Sequence, residues 1–138
     1  MTDPISGGCF CGALRYTAHA APIVMLDCQC THCQKISGTG HLSHVVFPHD
    51  AVVVTGPSTA FQMTGDSGMP KTRQFCPTCG TPVLATFAAN PSVLVVSASS
   101  LDDPGFYAPR LVTYHARAQI WDQIDPTLPA FATMAPRA

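Results

Sequence analysis

The sequence predicts an all-β fold, a small domain of short, packed antiparallel sheets. Helical periodicity is nearly absent from the 138 residues, whereas short β-branched or alternating runs recur along the whole chain. Gly, Pro, Asn or Asp punctuates most of the gaps between these runs, as at Gly56-Pro57, Gly65-Asp66 and Asn90-Pro91. Many short strands separated by turn signals are typical of all-β domains.

The strands are predicted where β-branched or alternating residues cluster. They are Leu14–Thr17, Ile23–Asp27, Leu42–Phe47, Val52–Thr55, Ala60–Thr64, Thr72–Phe75, Val83–Phe87, Val93–Ser97 and Leu111–Tyr114. One helical turn is predicted at Thr31–Ser37, directly after Cys30. No repeat or linker divides the chain, so we expect a single domain over residues 1–138.

The core of this domain is expected to span about residues 5–121. From Asp122 onward, Pro126, Pro129 and Pro136 interrupt any pattern. We therefore expect residues 122–138 to form a tail that lies over the body and frays at its end.

Composition excludes several classes of function. The formal net charge is −1 and the seven Lys and Arg are scattered, which argues against a nucleic-acid partner. No apolar run approaches the roughly 18 residues of a membrane helix, and the Met-Thr-Asp-Pro start does not resemble a secretory signal. The expected location is the cytoplasm, where closely spaced cysteines more often bind metal than form disulfides. Charged residues make up only 11% of the chain, which favours a homo-oligomer that covers apolar surface.

Seven cysteines fall into a pair, a trio and a second pair. The second pair, Cys76 and Cys79, gives the strongest metal signal. Two thiolates at i and i+3 can bind one metal when a tight turn lies between them, and Pro77 and Gly80 favour that turn. The alternative is two buried apolar cysteines, since free Cys is often buried.

The first pair, Cys9 and Cys11, is flanked by glycines that allow close approach to a metal. If the pair lies on a strand, residues i and i+2 point to the same side, so both sulfurs would face one partner.

The trio, Cys28, Cys30 and Cys33, suits a three-thiolate metal site with an open fourth position, as catalytic zinc requires. A redox pair is less favoured because no βαβ pattern is present. Spacing alone leaves the grouping open. Cys30 and Cys33 could instead join the second pair in one zinc ribbon, leaving three cysteines spare and no catalysis.

The histidines give a weaker signal. His32 lies inside the trio and could complete a metal site or move a proton. His41, His44 and His49 are expected to decorate one face of a strand and its turn. His19 and His115 belong to no constellation. No Gly-rich phosphate loop or nucleophilic Ser motif is present.

Three stretches together resemble the glutathione-dependent formaldehyde-activating family, which also contains centromere protein V. They are residues 7–16 (GGCFCGALRY), residues 28–38 (CQCTHCQKISG) and residues 75–82 (FCPTCGTP). Leu101-Asp102-Asp103-Pro104, Trp121 and residues 128–131 (LPAF) also resemble the end of the family's sequences. The resemblance covers nearly the whole chain and uses all seven cysteines.

The resemblance implies a small β-tent fold with two zincs per chain. It assigns a structural zinc to Cys9, Cys11, Cys76 and Cys79, and a catalytic, labile zinc to the trio. The implied activity is that of a carbon–sulfur lyase, which joins glutathione and formaldehyde to give S-(hydroxymethyl)glutathione. Two departures affect the pocket rather than the metal ligands. Gln29 stands where many relatives have His, and a His that many carry near Val112 is missing.

Glutathione's carboxylates would need cations, and Lys35, Arg73 and Lys71 lie nearest to the cysteines in sequence. Lys35 is the first choice, and Gln34 and Ser37 are expected to orient the substrate. Two other functions stay open, namely a thiol- or metal-binding module without turnover and an interaction domain with a structural zinc only.

Overall fold

Ten strands and one helix are found among residues 3–136, the part of the chain that the computed structural model describes. The elements in chain order are β1 (Ile5–Gly8), β2 (Arg15–Ala18), β3 (Val24–Cys28), α1 (Thr31–Ser37), β4 (Leu42–Pro48), β5 (Val52–Thr55), β6 (Thr59–Thr64), β7 (Pro70–Phe75), β8 (Pro82–Phe87), β9 (Val93–Ser97) and β10 (Leu111–Thr113). Short 3-10 turns connect several of them. The all-β prediction is confirmed.

The strands form two sheets. The smaller sheet has the order β1-β2-β5, and the larger has the order β10-β3-β4-β9-β8-β7-β6. Neighbouring strands are antiparallel except β10 and β3, which pair in parallel with Leu111 opposite Leu26. The expectation of purely antiparallel sheets is wrong for this pair, because β10 arrives from a long connection rather than a hairpin.

All nine predicted strands overlap observed ones, and β1 was not predicted. Its sequence, Ile-Ser-Gly-Gly, carries one apolar side chain, so no alternation marks it. The two glycines are required by packing. A Cβ on Gly7 would lie 2.3 Å from the Tyr16 hydroxyl and 2.4 Å from the Ser100 carbonyl oxygen. This close approach brings β1 against the core.

The core lies between the two sheets. Its largest fully buried side chains include Leu14, Tyr16, Phe47, Val83 and Val96. The Tyr16 hydroxyl donates to Ser100 Oγ over 2.7 Å, while Ser100 donates to a backbone carbonyl. Every buried side-chain nitrogen and oxygen among residues 3–136 has a hydrogen-bond partner. The core therefore supplies a rigid base for the loops at the sheet ends.

Helix α1 coincides with the predicted helical turn. It begins at Cys30, whose Sγ accepts a hydrogen bond from the Cys33 N–H, and it ends at Gly38 in the left-handed region at φ 74°. Both ends of the helix are thus set by local sequence, and the first of them uses a cysteine of the trio.

The segment after residue 121 returns to the body beside β10. Val112 and Ala130 form a parallel bridge, and the Phe131 N–H donates to the Val112 carbonyl over 2.9 Å. The expected fraying falls on residues 137 and 138, outside the described residues. No helix within residues 3–136 is both long and apolar enough to cross a membrane.

Candidate functional site

All seven cysteines fall into two separate sulfur clusters. In the first, the Sγ atoms of Cys9, Cys11, Cys76 and Cys79 all lie within 4.8 Å of one another. In the second, those of Cys28, Cys30 and Cys33 do the same. This grouping excludes the zinc-ribbon alternative, because Cys30 and Cys33 lie in a different cluster from Cys76 and Cys79.

The spacing of the four-sulfur cluster fits one tetrahedral metal. Cys9 Sγ lies 3.6 Å from Cys11 Sγ, which lies 3.7 Å from Cys76 Sγ. A tetrahedral ion with metal–sulfur bonds of about 2.3 Å separates its sulfurs by about 3.8 Å. A disulfide would bring two sulfurs to about 2.05 Å. The four thiols are free, so their donor set and spacing suit a closed metal site.

The loop that carries Cys9 and Cys11 is a turn after β1, not a strand. The prediction that strand geometry aims both sulfurs to one side is therefore wrong. The turn is closed by the Gly12 N–H donating to the Cys9 carbonyl, with Gly12 at φ 83°. The Leu14 N–H donates to Cys9 Sγ over 3.2 Å. The sulfurs converge because the backbone wraps around them.

The second loop of this cluster joins β7 to β8 and follows the predicted turn. Gly80 has a φ of 77°, and its N–H donates to the Cys76 carbonyl. The N–H groups of Thr78 and Cys79 point to Cys76 Sγ at 3.4 and 3.5 Å. Hydrogen bonds from the Thr81 hydroxyl and backbone lower the pKa of Cys79 to about 5. The hydrogen bonds of this loop therefore favour the thiolate form of its cysteines.

The three-sulfur cluster lies where β3 meets α1. Cys28 ends β3, Cys30 caps the helix and Cys33 is buried in its first turn. Hydrogen bonds from the Cys28 and Cys33 thiols strongly lower the pKa of Cys30. A cation in the cluster would favour loss of the remaining protons too. Three converging thiols without a fourth protein sulfur suit a metal with an exchangeable position.

Two basic side chains from other strands contact this cluster at Cys33. His44 on β4 places Nε2 at 3.4 Å from Cys33 Sγ, and Arg73 on β7 points Nη2 at it from 3.6 Å. Burial, together with nearby Arg73, lowers the pKa of His44 to about 3, so its ring is neutral. The expectation that His44 merely decorates a strand face is wrong.

Arg73 also contacts His32. Its Nε–H donates to His32 Nε2 over 2.7 Å, although only 7% of Arg73 is exposed. Burial, then the charges of Arg73 and Lys71, lower the pKa of His32 to about 4. The trio therefore has a neutral histidine and a buried guanidinium on one side.

A polar network that the sequence did not reveal holds the chain between Cys28 and Cys30. The Gln29 side chain, 2% exposed, contacts His115 Nδ1 at 2.8 Å and donates to Asp122 at 3.1 Å. Asp122 in turn lies 2.9 Å from His41 Nδ1. A Cβ on Gly40 would lie 2.3 Å from the Asp122 carboxyl carbon, so Gly40 makes room for the carboxylate. The network fixes the backbone that carries two of the three sulfurs.

A cavity of about 450 Å³ opens beside this network. Its walls include Gln29 and His115, and the chain after Ala118 supplies most of the remaining lining. His115 was not expected to belong to any constellation, and its ring reaches Gln29 because it follows β10, which pairs with β3 with Thr113 opposite Cys28.

Tyr114 packs against the cluster that contains Cys28 and Cys33. Among the non-glycine residues that the structure describes, it alone has a positive φ, at 55°. Its hydroxyl donates to Asp66 Oδ2 over 2.6 Å, linking the trio to the turn between β6 and β7. Burial, then Asp66, raise the pKa of Tyr114. A backbone strained in this way is common at functional sites.

The predicted substrate residues have different surroundings. Lys35 is exposed on α1. Gln34 donates to the carbonyls of Gln29 and Arg117, and the Ser37 hydroxyl donates to the Gln34 carbonyl. Arg73 alone of the four contacts a sulfur of the trio.

Comparison with known proteins gives a family and a fold. Residues 4–121 match the family model described as glutathione-dependent formaldehyde-activating enzyme. No curated protein sequence matches the chain. A crystal structure of a Rhodobacter sphaeroides protein, a structural genomics target, superposes with a TM-score of 0.56 at 20% identity, covering 70% of this chain and 87% of that one. At this identity the superposition concerns the fold alone.

Proposed function

The chain belongs to the glutathione-dependent formaldehyde-activating enzyme family, and from that premise we propose that it joins glutathione to formaldehyde. The product would be S-(hydroxymethyl)glutathione, and in the reverse direction the enzyme would act as a carbon–sulfur lyase. The observation that carries the proposal is the three-sulfur cluster, which offers a metal three protein ligands and so leaves a fourth coordination position for a small thiol.

We propose zinc as the metal in both clusters. All-sulfur donor sets are typical of zinc sites, and the 3.6 and 3.7 Å sulfur separations match a tetrahedral ion. Cys9, Cys11, Cys76 and Cys79 would hold the structural ion. Cys28, Cys30 and Cys33 would hold the catalytic one, which has fewer protein ligands and is therefore more labile.

When bound at the trio, zinc would favour a small thiol as its thiolate and polarise an aldehyde oxygen. The protein's own groups supply the surroundings. Arg73 donates to Cys33 and so stabilises negative charge on its sulfur, and the His44 ring contacts the same sulfur. The burial of both side chains keeps bulk water away from that side of the site.

Glutathione carries two carboxylates, and Lys35 remains the proposed partner of one of them. Its exposed position on α1, two residues after Cys33, gives it freedom to reach a ligand at the trio. Gln34 and Ser37 stay proposed substrate contacts, and in the free chain Gln34 donates to the Arg117 carbonyl and Ser37 to the Gln34 carbonyl. We also propose a cytoplasmic location, where glutathione is abundant and thiols stay reduced, and a homo-oligomeric state.

The first test is native mass spectrometry of the full chain with and without glutathione. The proposal expects two zincs per chain and a glutathione adduct that depends on the second zinc. Exchange NMR should then show interconversion of formaldehyde and S-(hydroxymethyl)glutathione faster than in buffer. The rate with Lys35→Ala, compared with Lys71→Ala, would test the assigned cation.

Two results would count against the proposal. A single zinc, unchanged by glutathione after zinc is added back, would favour an interaction domain. Two zincs that bind glutathione without accelerating exchange would favour a thiol-binding module.

A further inference from the structure

The guanidinium of Arg73 is the starting point. Its Nε–H and the neighbouring Nη2–H are parallel donors on one edge of a rigid plane. That edge, which usually pairs with a carboxylate, here takes His32 Nε2 at 2.7 Å and Cys33 Sγ at 3.6 Å. The histidine ring nitrogen and the sulfur are therefore neighbours along a single edge. Because both donors are engaged, this edge of Arg73 has no capacity left for a carboxylate of a substrate.

The contact with Arg73 decides which nitrogen of His32 carries the proton. A guanidinium in a protein donates and does not accept, and it stays protonated at all relevant pH values. His32 Nε2 must therefore present its lone pair, and the proton of the neutral ring lies on Nδ1. Nδ1 has no hydrogen-bond partner among residues 3–136. His32 thus presents an unpaired Nδ1–H, and the contact with Arg73 determines that tautomer.

The shared contacts of Arg73 place the His32 ring beside Cys33 of the trio. The residue lies in the first turn of α1 between Cys30 and Cys33, and it is only partly buried, so a ligand can reach it. His44 on β4 contacts Cys33 Sγ but is buried, with only 7% of it exposed. Of the two histidines near the trio, His32 is therefore the one that a substrate can approach.

We propose that the Nδ1–H of His32 donates a hydrogen bond to the substrate oxygen at the trio, and that Arg73 is the positioning residue that fixes His32 in this tautomer. This inference rests on the proposed function and names the protein group that stabilises the negative charge developing on the substrate oxygen. When the thiolate sulfur bonds to the aldehyde carbon, the carbonyl π pair moves to oxygen. The proton that the thiol lost ends on that oxygen, giving the hydroxyl of the adduct. A preorganised N–H beside the oxygen stabilises its charge during the step.

The tautomer is tested by long-range ¹H–¹⁵N NMR of the zinc-loaded full chain, with the His32 signal assigned by comparison with His32→Phe. We expect Nδ1 protonated and Nε2 unprotonated in the native chain. In Arg73→Met the proton should move at least partly to Nε2, whereas the exposed Arg110→Met control should leave it on Nδ1. A native His32 protonated at Nε2, or a tautomer that ignores Arg73→Met, overturns the proposal.

The role of the donor is tested by kinetics. His32→Phe should lower the enzyme-dependent rate of adduct formation by about 10²-fold, as loss of one preorganised donor does. Zinc content and the Kd for glutathione should stay unchanged. His32→Asn, which places an amide N–H near the position of Nδ1, should recover at least tenfold of the loss. His19→Phe, the same change at an exposed site, is the control.

The possible outcomes distinguish a failure of the inference about His32 from a failure of the proposed function. Full activity in His32→Phe overturns this inference and leaves the proposed function standing. Loss of zinc in His32→Phe and His32→Asn alike would make His32 a structural residue and also overturns the inference. A native chain that binds zinc but does not accelerate adduct formation overturns the proposed function, and the inference with it.

Discussion

Each cysteine offers one sulfur ligand to a metal, but the two clusters differ in how much of the fold they hold together. The four-sulfur cluster joins the loop after β1 to the loop between β7 and β8, so it links the smaller sheet to the larger. The trio lies within one continuous stretch at the end of β3, where backbone hydrogen bonds already fix the chain. Loss of a ligand should therefore have local effects in one case and global effects in the other.

Cys30→Ala and Cys79→Ala form a matched pair that tests this difference. Cys30→Ala should reduce zinc from two to one per chain and cost only about 1 kcal/mol of stability, because it also removes the helix cap. Cys79→Ala should destabilise the whole fold by several kcal/mol, since a structural zinc contributes folding free energy directly. Native mass spectrometry and urea denaturation measure the two effects. Equal loss of stability in both variants would contradict the division into a structural and an open site.

Some residues of this site could be predicted from the sequence and others could not. The seven cysteines were predicted as metal ligands because the cysteines within each group lie close together in the sequence. Arg73 and His44 contact Cys33 from β7 and β4, strands that two other strands separate in the sheet. The local sequence of neither strand predicts that contact, since it depends on how distant strands are brought to α1 in the folded sheet. Arg73 was chosen for its positive charge, and its burial against a sulfur gives it different surroundings from those expected.

At the scale of elements, the chain after residue 118 is part of the site. Asp122 reaches Gln29 and His41 and so ties this segment to the loop between Cys28 and Cys30. The carboxylate fits only because residue 40 has no side chain. The segment therefore acts on the trio through the backbone of its loop.

Gly40→Ala tests whether the tail supports the trio. The added Cβ would overlap the Asp122 carboxyl group at 2.3 Å, so the Gln29–Asp122–His41 network should open. We expect a loss of about 1–3 kcal/mol, typical of breaking a buried polar network, and faster removal of the second zinc by a chelator. Gly65→Ala is the control outside the network, because Gly65 is not in the left-handed region and a Cβ there would meet its nearest atom at 3.5 Å. If zinc release from Gly40→Ala matches that of the native chain, the tail has no role at the trio.

Strands were predicted correctly where apolar or β-branched residues mark them in the sequence. The prediction failed where tertiary packing alone determines the strand. The runs at Val83–Phe87 and Val93–Ser97 were visible because they are apolar and β-branched. β1 was not predicted because close packing, and not strand propensity, requires its glycines. Gly7 packs on Tyr16, and Gly8 packs on the backbone of Leu14 and on Arg15. The parallel pairing of β10 with β3 could not be predicted either, since it is set by the path of a long connection.

At the scale of the whole molecule, burial of neutral histidines should make stability depend on pH. The pKa of His44 is lowered to about 3 in the folded chain, mainly by burial, against about 6.5 in the unfolded chain. Between these two values the unfolded chain binds a proton that the folded chain does not. The free energy of unfolding must then fall as pH falls below about 6.5, and above that pH this residue has no effect.

Urea denaturation at a series of pH values between 7.5 and 4.5 measures this dependence. The native chain should lose stability toward acid, and His44 should contribute up to about 1.4 kcal/mol per pH unit to the slope. His44→Gln removes the titrating ring and should show a shallower slope, even though its stability at pH 7.5 is lower. His19→Gln, at an exposed position, should keep the native slope. Acid also displaces zinc from thiolates, but that loss is common to all three chains, so the difference in slope isolates the buried ring. An unchanged slope in His44→Gln would mean that His44 takes up a proton without unfolding, which its burial against Cys33 argues against.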